Sequence, residues 1–271
     1  MRQFKLMNAN GQTFDLMRKD AFLHAPEGLG WGIDAETMAV GDTYVVTNRK
    51  PQRPAPSGEM VFAGYAQYDE FMAFAQAGGL VLAYMPRDTW QYLDVDLSIE
   101  RGEIDAQKKL LVCPVSFTAS SQWYEQIRAY QAQKDQDGGK IYPYAYSYTY
   151  KSAMEGAVEI SNGHLTSYPK LTIFGPVEKP AWVLYQYGKR VAAGAVNVSI
   201  PQGNKLVVDM HPATMEIAEY TDDGSFVADR YQDSDFATER FFELPPGDCR
   251  IVFTQNGIGT VRAFVEVRKR V

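Results

Sequence analysis

Paired carboxylates are the first candidates for chemistry. Asp94 and Asp96 stand two residues apart in an alternating run from Trp90 to Ile99. Period-two alternation puts both on one face of a strand. Two such carboxylates can act as acid and base in a glycosidase, or hold Ca²⁺. The same spacing also describes the solvated face of an amphipathic strand. A second acidic set, Asp222-Asp223 with Asp229, Asp233, Asp235 and Glu239, lacks EF-hand spacing and reads as a solvated loop. The histidines His24, His164 and His211 are scattered, and Cys113 and Cys249 are far apart in sequence. No zinc ribbon or CxxC redox site follows from that spacing, and the two thiols read as free and buried. Walker A, GxGxxG and G-x-S-x-G patterns are absent. The sequence therefore names no catalytic residue, no metal site and no cofactor site.

Two stretches suit binding better than catalysis. Tyr142, Tyr144, Tyr146, Tyr148 and Tyr150 alternate strictly, so a strand there carries all five on one face. Such a ladder can pack on its own sheet, meet a partner or domain, or stack sugars. Asn48 to Gly58 holds Arg49, Lys50 and Arg53 together with Pro51, Pro54 and Pro56. That proline density excludes a central strand. Strand-like runs on both sides, around Tyr44-Val45-Val46 and from Glu59 to Gly64, make it a projecting loop or hairpin arm.

These segments sit in a chain of 271 residues with 27 Lys+Arg and 33 Asp+Glu, a formal charge of −6. The acidic balance argues against a general nucleic-acid binder. Hydrophobic residues at 45% and charged residues at 22% are ordinary globular usage and exclude wholesale disorder. The N-terminus lacks the continuous apolar run of a secretory signal. The longest uncharged run, Phe71 to Pro86, is too short for a membrane span and is cut by Gly78-Gly79.

The elements that must position these residues are mostly strands. Phe4 to Met7 and Thr13 to Leu16 flank an Asn/Gly turn and predict a hairpin. Tyr68, Phe71, Met72 and Ala75 form one helical stripe, with Asp69 and Glu70 placed near the helix start and Gly78-Gly79 ending it. Leu80 to Met85 reads as a buried strand, and Leu110 to Thr118 as a strand that Pro114 demotes to an edge or bulge. Ser121 to Gln133 is either a helix or an extended exit segment. A polar Gly-rich stretch, Lys134 to Lys140, marks a domain boundary near residue 138. Beyond it, runs centred on Val158, Leu171–Phe174, Trp182–Tyr185, Val196–Val198, Leu206–Val208, Phe241-Phe242, Ile251–Phe253 and Val261–Val267 predict a β-sandwich or jelly roll.

The ordered pieces of the first half resemble the phage distal tail protein (Dit), or siphovirus-type tail component, family. They are Phe4-x-Leu6-x-Asn8-x-x-Gly11, then Pro26-x-Gly28-Leu29-Gly30, then Gly58-x-x-x-Phe62 leading to Tyr65, Tyr68, Phe71 and Phe74. Leu80-x-Leu82-x-Tyr84-x-Pro86, Cys113-Pro114-x-x-Phe117 and Ser121-x-Trp123-Tyr124 follow. Leu244-Pro245-Pro246-Gly247-Asp248 is similar to the family's closing turn, with Asp248 where the family has Asn.

The resemblance implies a mainly β protein in two parts. Residues 1–138 would be a ring-forming, tail-tube-like β-sandwich with one α-helix and an extended hairpin arm. Residues 139–271 would be a peripheral, galectin-like β-sandwich. It implies a non-enzymatic hub of a long-tailed phage or prophage tail tip or baseplate, made in the bacterial host cytoplasm and residing in the virion. The hub would be a homo-hexameric ring joining the tail tube protein to the tail-associated lysin or tip protein and to receptor-binding or baseplate proteins. DNA would pass through it without specific binding, and no membrane would be engaged. By analogy the arm, with Arg49, Lys50, Pro51, Arg53, Pro54 and Pro56, would clasp a neighbouring subunit. The competing readings are a carbohydrate-binding module using Trp182, Tyr185 or the tyrosine ladder on host cell-wall glycans, and an enzyme using the scattered carboxylates.

Overall fold

The computed structural model describes residues 2–104, 107, 109–131, 156–256 and 261–270. The chain divides into two compact units, residues 1–125 and 126–270. The expected boundary at residue 138 and the tyrosine ladder of 142–150 lie outside the described residues.

The first unit contains β1 (Gln3–Met7), β2 (Thr13–Asp15), β3 (Ala21–Glu27), β4 (Ile33–Val40), β5 (Thr43–Pro51), β6 (Ser57–Phe62), α1 (Tyr65–Ala75), β7 (Leu80–Met85), β8 (Gln91–Ile99) and β9 (Leu111–Ala119). The N-terminal hairpin forms as its sequence predicts, Leu6 opposite Phe14. All pairings are antiparallel. β8 gives its first half to β7 and its second half to β9, the two ladders meeting at Val95. From β7 the order runs to β1 and β2; from β9 it runs to β6 and β3. A bridge between Met17 and Phe22, with Leu23 N–H donating to Leu16 O at 2.9 Å, joins β2 to β3. The ladder of pairings thus returns on itself, which removes the free edges that an open sheet must protect.

Alternation makes the core. Leu93 and Val95 on β8, and Leu111, Cys113, Val115 and Phe117 on β9, point inward while their neighbours face out. β9 lies between β6 and β8, so Pro114 sits on a central strand rather than an edge or bulge. The reason is local. Pro114 O accepts from Glu100 N–H at 2.9 Å, just past the last β8 pair, Ile99 with Val115. The side of Pro114 that lacks a donor therefore faces a ladder that has already ended.

The helix begins earlier than its acidic residues suggested. α1 starts at Tyr65 after Gly64, with no carboxylate in its first turn. Asp69 and Glu70 fall in the second turn, too far along to meet the helix N-terminus. Glu70 instead accepts from Arg18 Nη1 at 2.8 Å, and Arg18 also grips Asp20. The helix is held mainly by Phe71, fully buried between Phe14 (5.2 Å between ring centroids) and Phe62 (5.6 Å).

The second unit begins within β10 (Tyr124–Tyr130) and continues with β11 (Ala157–Asn162), β12 (Pro169–Phe174), β13 (Val177–Glu178), β14 (Ala181–Gln186), β15 (Lys189–Ala195), β16 (Ser199–Ile200), β17 (Asn204–Asp209), β18 (Glu216–Thr221), β19 (Phe226–Asp229), β20 (Gly247–Thr254) and β21 (Arg262–Arg270). The ambiguous exit segment is therefore extended. Two layers form, β19-β18-β17-β12-β21-β10 and β11-β20-β14-β15. They enclose one core that includes Leu171, Ile173, Trp182, Leu184, Leu206, Ile251, Phe253 and Val265, so this unit is a β-sandwich.

Two expected strand centres are not strands. Val196 makes only a bridge to Ser234, and Phe242 is buried in a segment outside the named strands. β15 was not expected because Lys-Arg-Val-Ala-Ala-Gly-Ala carries few β-formers. Its small residues fit a specific contact: a Cβ on Gly194 would lie 2.6 Å from the Trp182 ring.

Candidate assembly interface

β4 and β5 form a two-stranded sheet of their own, exposed along almost its whole length. Eight strand residues span about 27 Å at the usual rise. The turn is the two-residue Gly41-Asp42, with φ +65° at Gly41. Glycine at the first central position with positive φ suits a II′ hairpin turn. The arm is thus Ile33 to Pro51, and the proline-rich stretch forms its root.

The root is anchored by backbone contacts. Gln52 N–H donates to Gly32 O at 2.8 Å, and Arg53 Nε donates to Ala119 O at 2.5 Å. Pro54 and Pro56 are buried, and Phe117 N–H reaches Pro56 O at 2.9 Å. Across from them Gly28 has φ +67°, and a Cβ there would meet Ala55 O at 2.1 Å. Only glycine allows the Pro26–Gly30 segment to lie this close to the returning chain. A groove of about 250 Å³ remains beside the root, bordered by the exposed Trp31 with Gln52 and Arg53.

Charge and apolarity divide the arm along its length. The half near the root has Asp34 and Glu36 on β4 and Arg49 and Lys50 on β5. Asp34 faces Lys50 across the strands, and Lys50 Nζ lies 3.6 Å from Glu36 Oε1. Both partners of that pair are exposed, so it contributes little to stability. A bulge follows Glu36, where Thr47 Oγ1 donates to Glu36 O at 3.1 Å. Beyond it the pairs are Thr37 with Val46, Met38 with Val45, Ala39 with Tyr44 and Val40 with Thr43. Cross-strand partners share a face, so one face presents Met38, Val40 and Val45 and the other Ala39, Tyr44 and Val46. The exposed fraction is 76% for Tyr44, 55% for Met38 and 52% for Val40. Contiguous exposed apolar surface of this kind marks a site of interaction.

Among the described residues, the acidic and histidine candidates of the sequence make separate local contacts. Asp94 Oδ1 accepts from Tyr124 Oη at 2.9 Å, while Asp96 is exposed. In the second acidic set, Asp229 Oδ1 caps Tyr231 N–H (2.8 Å), Asp235 Oδ1 caps Ala237 N–H (2.9 Å) and Asp233 pairs with Arg230 (3.3 Å). His24 and His164 are exposed in separate units, and His211 Nδ1 accepts from Ala213 N–H at 3.3 Å. Among the described residues, no group of three or more His, Cys, Asp or Glu is placed to hold a metal. Cys113 and Cys249 are free and buried, and burial raises the Cys249 thiol above its ordinary range. Trp182 is fully buried, so it cannot stack a sugar.

Sequence reasoning placed Arg49, Lys50 and Pro51 on the arm but overlooked its β4 side. The usable signal was Gly41-Asp42 just before a run rich in Val, Thr and Tyr.

The chain is thus built of two β units, the first of which carries an exposed apolar arm. Residues 3–120 match the family described as distal tail protein, N-terminal domain. No curated protein matches the sequence. Among solved structures, a chain of the phage P2 baseplate in its activated conformation with Ca is similar over 100% of this chain and 99% of its own (TM-score 0.69, 15% identity). The same baseplate with Sr gives 98% and 98% coverage (TM-score 0.66, 14% identity). The phage SPP1 Dit protein, described as a paradigm of the hub adsorption apparatus in phages infecting Gram-positive bacteria, gives 99% and 99% (TM-score 0.65, 10% identity). Over residues 3–120 the chain is thus similar to the distal tail protein N-terminal domain, and over nearly its whole length its fold is similar to those of the baseplate and hub proteins.

Proposed function

We propose that this protein is the structural hub at the distal end of a long-tailed phage or prophage tail and catalyses no reaction. Copies form a ring, six in number by analogy with the family. The ring connects the tail tube to the tail-associated lysin or tip and to the receptor-binding or baseplate parts. Its second unit, read as a galectin-like sandwich, lies at the ring periphery. The arm is the contact that holds neighbouring copies together.

One observation carries this reading. The first unit closes its own ladder, yet it extends an arm of exposed apolar residues that gains nothing from standing alone in water. An isolated two-stranded hairpin is marginal in water; docked on a neighbour it buries both faces.

The test excises residues 35–49 and joins Asp34 to Lys50, which face each other, through an Asn-Gly turn. Light scattering and electron microscopy then compare the two proteins. The intact chain is expected to form rings and the excised one to remain a folded monomer. An excised chain that assembles like the intact one overturns the role of the arm.

A further inference from the structure

We propose that the outer face of the second unit around the β14–β15 hairpin binds a phosphodiester-linked glycan. Tyr185 and Tyr187 stack on its sugar rings, and Arg190 and Arg250 hold the phosphates on either side. The site is separate from the arm, and its binding test reads the same whether or not copies assemble.

The turn leads to it. Gln186 ends β14 and Lys189 begins β15, so the hairpin turns on Tyr187-Gly188, with φ +49° and +74°. Positive φ at both central residues defines a I′ turn, where Asn-Gly or Asp-Gly is the usual pair. A bulky side chain is strained in that conformation. Burial does not offset the strain, because Tyr187 is 82% exposed. Strain held at a fully presented aromatic residue points to a ligand contact. The ring leans toward β20: a Cβ on Gly247 would lie 3.1 Å from Tyr187 Oη.

Three neighbouring strands supply the rest. Leu184 points into the core, and Tyr185 faces out from the β11-β20-β14-β15 layer. On that face Tyr185 stands opposite Arg190 of β15 on one side and Arg250 of β20 on the other. The order across the sheet is therefore cation, aromatic ring, cation, with about 5 Å between adjacent strands. Arg190 is exposed and has no ion pair, hydrogen bond or ring contact among the described residues. Other arginines of this unit have partners, such as Arg128 with Glu266 and Arg230 with Glu219. The acids on the face are Glu159 and Asp248, both exposed. Arg250 Nε lies 3.3 Å from Glu159 Oε1. An exposed pair of this kind contributes little, so Arg250 can turn to an anion at small cost.

This pattern selects the ligand class. A sugar ring lays its apolar C–H face on a tyrosine and leaves its hydroxyls in water. Guanidinium forks match phosphate oxygens. A uronate polymer carries its anion on the sugar ring itself, over the tyrosine. A phosphodiester-linked glycan carries it between rings. A ring on Tyr185 then sets one phosphate toward Arg190 and the next toward Arg250, and Tyr187 takes a further ring at the hairpin tip.

The test titrates the full-length chain, by calorimetry, with oligomers of glucose, galactose or N-acetylglucosamine joined by phosphodiesters. Neutral oligomers of the same sugars, inorganic polyphosphate and polyglutamate are the comparison probes. A phosphodiester oligomer is expected to bind about tenfold more tightly than any comparison probe, and its affinity should fall with salt. Arg190→Gln should weaken that binding about tenfold and flatten its salt dependence, with the thermal midpoint unchanged. Tyr187→Asn is the sharper variant. It puts a preferred residue at the strained position, so the thermal midpoint should hold or rise, while affinity falls about tenfold. A purely structural role for Tyr187 would lower both together.

Phosphodiester oligomers that bind no better than the neutral ones, or binding that both variants leave unchanged, overturn the site. A Tyr187→Asn chain that loses stability along with affinity overturns the role of Tyr187. Polyphosphate binding as tightly reduces the face to charge alone, and polyglutamate binding as tightly makes it a dock for an acidic protein. Either result overturns the glycan.

Discussion

Arg230 donates from Nε (3.0 Å) and Nη2 (2.6 Å) to one oxygen of Glu219, a carboxylate only 2% exposed. Asn204 Nδ2 donates to the other oxygen at 2.5 Å. A buried carboxylate is tolerable only with partners of this quality. Arg230→Ala should therefore cost the second unit about 3–5 kcal/mol, because it strands the acid. Arg230→Lys should recover only part of that, having no planar fork. Urea unfolding of the three proteins measures both.

Phe71→Ala should cost about 3–5 kcal/mol. It removes the one fully buried side chain of α1 and leaves Phe14 and Phe62 facing a void. An 11-residue helix does not persist alone, so amides of Tyr65–Ala75 should lose hydrogen-exchange protection before the strands do.

The small residues of β15 invite a different substitution. Gly194→Val would place its Cβ within 2.6 Å of the Trp182 ring. Overpacking of this sort costs about 1–3 kcal/mol. The thermal midpoint should fall, and Trp182 fluorescence should shift if the ring is pushed toward solvent.

Acid should weaken the tie near the helix. Hydrogen bonding to Arg18 holds the Asp20 carboxyl below its ordinary range. A depressed folded pKa means that the contribution is present at neutral pH, above the unfolded value. It is lost as pH falls through the folded value. Asp20→Asn should flatten stability against pH at and below the usual carboxylate range and leave the slope near neutrality unchanged. Acid titrations followed by denaturant midpoints test the sign.

The distal arm should be separable from the fold. Met38→Ser, Tyr44→Ser and Val46→Ser together remove apolar surface that is mostly in water. Monomer stability should change by no more than about 0.5 kcal/mol per site. Assembly, read by sedimentation, should be lost.

The parts of the fold that could be read from the sequence are those where one face meets core and the other meets water. β1, β2, β8 and β14 alternate for that reason, and the stripe through Phe71 shows α1. The start of α1 was obscured because Gly64 offers no capping side chain and Asp69 and Glu70 look like a first turn. The arm was only half visible for a related reason. With apolar residues on both faces beyond Glu36, period-two contrast disappears, and Pro54 and Pro56 draw attention to the root instead. The closure through Met17 and Phe22 is a single bridge, which no local pattern announces.

The closed ladder also bears on the order of events during synthesis. Every strand that it needs, and the arm with it, lies within the first 125 residues. Domains fold as units, N-terminal first, as the chain emerges from the ribosome. The first unit can therefore be finished, with its arm already extended, while the second is still being translated. A nascent chain would be able to meet its neighbour before its own release, so polysomes, rather than a pool of completed monomers, become a place to look for the earliest contacts between copies.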